Sequence, residues 1–314
     1  MPNQVKCSPR REVLNVVSSS GREDLAWVHV AHPARRDGYV EFVESVAPPV
    51  SRDQKWVLIL STWIGCPVKC RMCDANEQSG RRLTAGEMLG QIDWMVGRRY
   101  GTDPVPARKF KIQFARMGEP ALNPEVVEVI RDLRQRVASQ FLPIPCISTI
   151  GPARATGFFE RLADIRHTVY ATGDFQLQFS IHSTDARVRD WLMPFPRMEL
   201  AQIAAIGERF YRHPFRKVSL NFAVMEGVPI DPGRIAETFD PQRFTIKLTP
   251  LNPTQAGQQH ELRSLIRPDA PDSMVPLVDS FRNLGFDVIL SIGNWGENAI
   301  GSNCGQLVSQ LNRS

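Results

Sequence analysis

Three cysteines fall within one short stretch, Cys66-Pro-Val-Lys-Cys70-Arg-Met-Cys73. The 314-residue chain has six in all, the others being Cys7, Cys146 and Cys304. Long cytosolic chains keep their thiols reduced, so such clustering points to metal chemistry rather than disulfides. A cubane [4Fe–4S] cluster normally takes four cysteines; three would leave one iron open to chelate a small molecule. Zinc is the competing occupant, but it wants a fourth protein ligand, and none stands beside this loop in sequence. Thiols buried without any metal are the plain alternative.

The amino and carboxylate groups of S-adenosylmethionine (SAM) suit an open iron. Electron transfer from the cluster can then cleave the sulfonium and release a 5′-deoxyadenosyl radical, chemistry that belongs to the cofactor.

The elements that must position this loop read as alternating strands and helices. Residues 1–23 carry few apolar side chains and read as a flexible leader. Segments 26–31 and 38–46 read as an antiparallel pair. Strands are expected at 57–62, 110–115, 144–148, 175–181, 217–225, 244–249 and 286–291. The first long helix starts at a capping box, Thr84 with Glu87, followed by Met88, Leu89, Ile92, Met95 and Val96 at helical spacing. Asn123 with Pro124 opens the next helix, and further helices are expected at 155–166, 198–212, 232–239 and 273–284. This alternation predicts an α/β fold with a parallel sheet, its chemistry at the strand ends. The cysteine loop follows the first barrel strand and Gly118-Glu119-Pro120 the second. Ser148 ends the third, Ser180 and His182 the fourth, and Asn252 follows the sixth.

Composition sets wider bounds. With 42% hydrophobic and 23% charged residues the chain reads as an ordinary globular protein. No apolar run is long enough to span a bilayer, and no secretory signal is visible, so a cytoplasmic location is expected. The net charge of +5 and basic clusters at Arg10–Arg11, Arg35–Arg36, Arg81–Arg82 and 108–111 suit a phosphate-rich partner such as RNA. A solvated surface with a mild cationic bias explains the same charges.

The spacing of the triad resembles the radical SAM superfamily, and the surrounding residues resemble its class A methyltransferases. That family includes enzymes methylating C2 or C8 of adenine in ribosomal and transfer RNA. The likeness runs over roughly residues 24–308. It is carried by Gly65–Cys73, by Leu83-Thr-Ala-Gly-Glu-Met-Leu-Gly-Gln91, and by Met117-Gly-Glu-Pro120. Ser148-Thr-Ile-Gly151, Ser180-Ile181-His182, Asn252-Pro253 and Asn303-Cys-Gly-Gln-Leu307 complete it. The resemblance implies a partial (β/α)6 radical SAM barrel over 56–295. A β-hairpin extension over 24–55 precedes it, and a C-terminal segment over 296–314 follows. It implies a [4Fe–4S] cluster on Cys66, Cys70 and Cys73, with SAM contacted by Met72, Gly118, Glu119, Ser148, Ser180, Ile181, His182 and Asn252. Cys304 would be methylated by one SAM, and the radical from a second would convert that methyl group into the species that adds to the acceptor. A flavodoxin- or ferredoxin-type donor would supply electrons.

Two departures bear on this. Ile59 stands where the family carries a resolving cysteine; Cys146 is a candidate replacement, and Cys7 a remoter one. Glu44 resembles the family's general base, with Glu41 as competitor. Only about 23 residues precede the hairpin, where RNA-methylating relatives carry an RNA-binding domain. Two acceptors therefore stay open, an adenine of rRNA or tRNA and a small molecule of specialised metabolism. A cluster-bearing RNA-binding protein without catalysis is the reading from another class.

Overall fold

The protein was analysed as a computed structural model that describes residues 14–293 except 47, 77, 268 and 269, together with 296, 300, 307 and 308. Three antiparallel strands come first: β1 (Leu14–Arg22), β2 (Ala26–Pro33) and β3 (Val40–Ser45). β4 (Lys55–Leu60) follows, and then a small pair, β5 (Trp63–Gly65) and β6 (Ser79–Arg82). The rest alternates: α1 (Ala85–Tyr100), β7 (Lys109–Phe114), α2 (Glu125–Arg136), β8 (Ile144–Thr149), α3 (Thr156–Thr168) and β9 (Gln176–Ser180). Next come α4 (Ala186–Leu192), α5 (Leu200–Phe210), β10 (Val218–Val224), α6 (Pro232–Thr238), β11 (Phe244–Pro250), α7 (Gln255–Gln259), α8 (Val275–Asn283) and β12 (Asp287–Leu290).

One 10-stranded sheet runs in the order β1-β2-β3-β4-β7-β8-β9-β10-β11-β12. From β4 onward every neighbouring pair is parallel. The order is linear, so the parallel strands form an open, partial barrel that the antiparallel strands extend at one edge. Helices cover one face. On β7, Phe110, Ile112 and Phe114 enter the core, while Lys109, Lys111 and Gln113 point to the other face. The concave interior is therefore polar, and the main core lies between sheet and helices.

The expected strands and long helices are present within a few residues of their predicted ends. Within the expected leader, residues 14–22 form β1 instead, paired with β2 from Leu14↔Pro33 to Arg22↔Ala26, while residues 1–13 lie outside the described residues. Backbone hydrogen bonds hold this largely exposed strand, and only Leu14 and Val16 pack on the core. Hydrophobic patterning was a poor guide to such an edge strand. The extension is thus a three-stranded meander. The short helices α4 (7 residues) and α7 (5 residues) also escaped the periodicity test.

α1 begins as its sequence predicts. Thr84 Oγ1 accepts from Glu87 N at 3.2 Å, and the Glu87 carboxylate accepts from Thr84 N at 2.9 Å. Met88, Leu89, Ile92 and Met95 are buried against the sheet. Replacing Thr84 by Ala removes the cap and should lower stability by about 1 kcal/mol, read as a lower denaturant midpoint at unchanged slope.

Candidate active site

The cysteine loop leaves the sheet through the β5–β6 pair, in which Gly65 lies opposite Ser79. Gly65 has φ 71°, and a Cβ there would stand 2.0 Å from the Gln78 carbonyl oxygen. The loop is therefore pinned at its neck by a position that only glycine fits. Lys69 also takes a left-handed turn, φ 57°. Cys66, Cys70 and Cys73 are each half-buried. Burial, with the charges of Cys66 and Glu119 nearby, pushes the Cys70 thiol far above its ordinary range.

Beyond the cysteines the loop is tied to the end of β11. Asp74, 2% exposed, accepts from Ala256 N at 2.9 Å and Gln255 N at 3.2 Å, capping α7. Thr254 Oγ1 donates to the Met72 carbonyl at 3.0 Å. Met72 packs with a cluster containing Val68, Ile150, Ala223 and Leu251. Asn252, exposed, sits on the same β11–α7 connection.

The turn after β7 lies under the loop. Gly118 has φ 97°, and a Cβ there would meet Trp63 Cδ1 at 2.5 Å. The glycine lets this turn approach the strand that launches the cysteines. Glu119, 3% exposed, accepts from Ala121 N at 3.0 Å, from Ile150 N at 2.9 Å and from the Thr149 hydroxyl. Burial raises its carboxyl to about 7, against the opposing pull of those hydrogen bonds. Ser148 faces the interior and accepts from Gln178 Nε2 at 3.4 Å. Ser180 lies opposite Asn221 on β10, and the backbone N–H of Ile181 donates to the Asn221 carbonyl at 2.9 Å. His182 has φ 61°, and its Nδ1 accepts from Ala223 N at 3.0 Å. Burial, helped by Arg189, lowers its imidazole to about 4.

The carboxylates of β3 divide between the two faces. Glu44 points toward α1, where Arg99 Nε donates at 2.7 Å and Arg98 Nη1 at 2.9 Å, with His29 at 3.5 Å. Burial alone would raise its carboxyl, but the bonds from His29 and Arg99 outweigh that and hold it below the usual range. The sheet thus keeps Glu44 on the helix-covered face, away from the cysteine loop. Glu41 faces the other way. Its Oε2 lies 2.6 Å from Arg116 Nη2, its Oε1 accepts from Val308 N at 2.7 Å, and its backbone carbonyl accepts from the Ser61 hydroxyl. Arg116 and Met117 immediately precede Gly118, so this contact joins β3, the glycine turn and the C-terminal segment. Arg116 was missed in the sequence; an arginine next to a glycine turn carries no signal until its buried partner is visible.

Ile59 lies opposite Val43 on this same face and packs with Ile300 and Leu307. Val308 joins a cluster of Val30, Ala75 and Met117, against which Cys66 and Cys73 pack. Cys304 and Cys7 lie outside the described residues. Cys146, 1% exposed, faces the interior in register with Gln113, itself opposite Ile59. Burial pushes its thiol up to about 11 despite the pull of Lys111.

No family-wide sequence model matches the chain. Among curated proteins it is 31% identical over 247 residues to a probable dual-specificity RNA methyltransferase of Heliobacterium modesticaldum, covering 75% of this chain and 59% of that protein. It is 30% identical over 273 residues to a probable RNA methyltransferase of Ectopseudomonas mendocina, covering 85% of this chain and 70% of that one. The chain belongs to the class A radical SAM methyltransferase family. A crystal structure of a radical SAM methyltransferase from Sphaerobacter thermophilus shares the fold, with a TM-score of 0.70 at 21% identity over 94% of this chain and 81% of that one. The chain spans 59% of the length of the first of those curated relatives.

The lowered imidazole of His182 gives this site a pH signature. Between 6.5 and about 4 the folded chain binds fewer protons there than the unfolded chain, so stability is lost as pH falls through that window. The loss should reach about 3 kcal/mol near the lower end. His182→Asn tolerates the left-handed backbone and should lack this component, read from thermal midpoints across the window. Parallel midpoint curves for the two proteins would contradict the assignment.

Proposed function

We propose that this chain is a radical SAM C-methyltransferase in which Cys66, Cys70 and Cys73 hold a [4Fe–4S] cluster and Cys304 carries the methyl group. The donor set fits such a cluster. It is all sulfur on one loop, and a cubane takes one thiolate at each of three irons. When bound, the cluster supplies the electron that cleaves SAM, delivered to it by a flavodoxin- or ferredoxin-type donor.

The chain's own residues bind and orient. Glu119 and the Gly118 turn suit the ammonium end of SAM, while Ser148, Ser180 and His182 offer hydrogen bonds to its carboxylate and ribose. Met72 would lie against the adenine, and Asn252 would bond to the adenosine part. With Nδ1 taken by Ala223 N–H, neutral His182 offers its Nε2–H as a donor without charge, as a ribose contact needs. Glu41, rather than Glu44, is the carboxylate on the cysteine-loop face, so removal of the proton from the acceptor carbon falls to it. Arg116 and the Val308 amide fix its orientation.

The observation that carries the Cys304 assignment is the seating of Leu307 and Val308. They follow Cys304 by three and four positions and pack in clusters with Ile59, Met117, Cys66 and Cys73. Three residues span at most about 10 Å of extended chain, a reach that supports reading Cys304 as the methyl carrier.

An adenine of rRNA or tRNA is the acceptor that the family relatives favour. A small acceptor is the second reading, favoured by the polar interior behind Ser148 and Ser180. Anaerobically reconstituted protein given SAM and reductant should release 5′-deoxyadenosine, and its intact mass should show a methyl or methylene group that Cys304→Ala lacks. A clean Cys304 thiol together with full methyl transfer by Cys304→Ala would contradict the proposal.

A further inference from the structure

The concave interior holds two lysines that the methyl-transfer scheme does not use. Lys111 of β7 donates to Gln176 Oε1 at 2.9 Å, and Lys247 of β11 donates to Gln178 Oε1 at 3.3 Å. Gln178 Nε2 in turn reaches Ser148 Oγ at 3.4 Å, which links the lysines to the strand ends. Asn221 lies in register between Ser180 and Lys247. It is only 7% exposed, and its Oδ1, an acceptor, has no partner among the described residues, so it would take an O–H or N–H of a ligand rather than an anionic oxygen.

This group is unbalanced in charge. Among the described residues neither lysine pairs with a carboxylate, and each ammonium spends one of its three donors on a glutamine. Burial pushes both below the ordinary lysine range, helped at Lys111 by Arg216, Lys55 and Lys109 and at Lys247 by Lys111 and Lys55. Interior filler would be more stable as methionine or leucine, because a buried charge without a counter-charge costs stability. Both lysines nevertheless remain partly exposed. Unspent ammonium donors on two lysines that meet neighbouring glutamines of β9 describe a site for an oxygen anion, and the Asn221 acceptor one for a hydroxyl beside it.

We infer that Lys111 and Lys247, which reach the interior face of β9, bind an oxyanion, a phosphate or carboxylate group carried by a small methyl acceptor whose reacting end lies beside Ser148 and Ser180. Assigning the anion to the acceptor rests on the methyltransferase proposal; the binding of the anion does not.

Inorganic phosphate and acetate are the probes. Each is titrated calorimetrically into the full chain, purified anaerobically, at constant ionic strength. Lys111→Met and Lys247→Met should each weaken the tighter-binding anion at least about tenfold, the loss expected for a charge-assisted hydrogen bond. Lys217→Met, at the sheet margin beside Asp287, should leave it unchanged. Phosphate binding more tightly identifies a phosphorylated acceptor, and acetate a carboxylate. Thermal midpoints of the methionine variants at or above wild type show that they fold. No binding of either anion by wild type, or equal binding by the variants, overturns the inference.

Acceptor-free release of 5′-deoxyadenosine, measured in parallel, separates the two proposals. It should stay within about twofold of wild type in both variants. A selective rise in the KM for SAM would assign the two lysines to the carboxylate of SAM and overturn the acceptor assignment. Absence of 5′-deoxyadenosine from wild type would remove the methyltransferase proposal and leave the anion site standing.

Discussion

The site depends on how a short sulfur-bearing loop is held at its edges. The loop between β5 and β6 leaves and rejoins the fold through their antiparallel pair, with Trp63 opposite Arg82 and Gly65 opposite Ser79. On the far side the Asp74 carboxylate caps α7, and Thr254 holds the Met72 carbonyl. These bonds fix the loop that carries the three thiols to the ends of β4 and β11.

A second constraint is the buried carboxylate of Glu41. Removing one partner from such an ion pair strands the other charge away from water, typically a loss of about 3–5 kcal/mol. The pair therefore couples three otherwise separate pieces: the antiparallel extension, the glycine turn and the C-terminal segment. Glu44, three residues on, has the opposite task on the opposite face, tying β3 to α1 through Arg98 and Arg99. Strand alternation alone separates the two roles.

Much of this was legible before the structure. The capping box of α1, the alternation along β7 and the parallel strands all follow from local pattern, because periodicity records which face is buried. The cysteine triad and the strand-end residues were found by type and spacing. What the sequence concealed depends on tertiary partners. β1 is a polar edge strand held by backbone bonds, so patterning suggested a leader. Choosing between Glu41 and Glu44 required the register of β3, since a one-residue shift exchanges the faces. Arg116 and the unbalanced lysines 111 and 247 look like ordinary charged residues until the fold turns them inward.

The central claim is that three thiolates of one loop leave an iron corner that SAM occupies. Electron paramagnetic resonance of the anaerobic, reduced protein tests it most directly, with iron and zinc determined on the same sample. The account predicts about four irons per chain and a cluster signal whose shape changes when SAM is added. Zinc as the only bound metal, or an iron signal that SAM leaves unaltered, would contradict it.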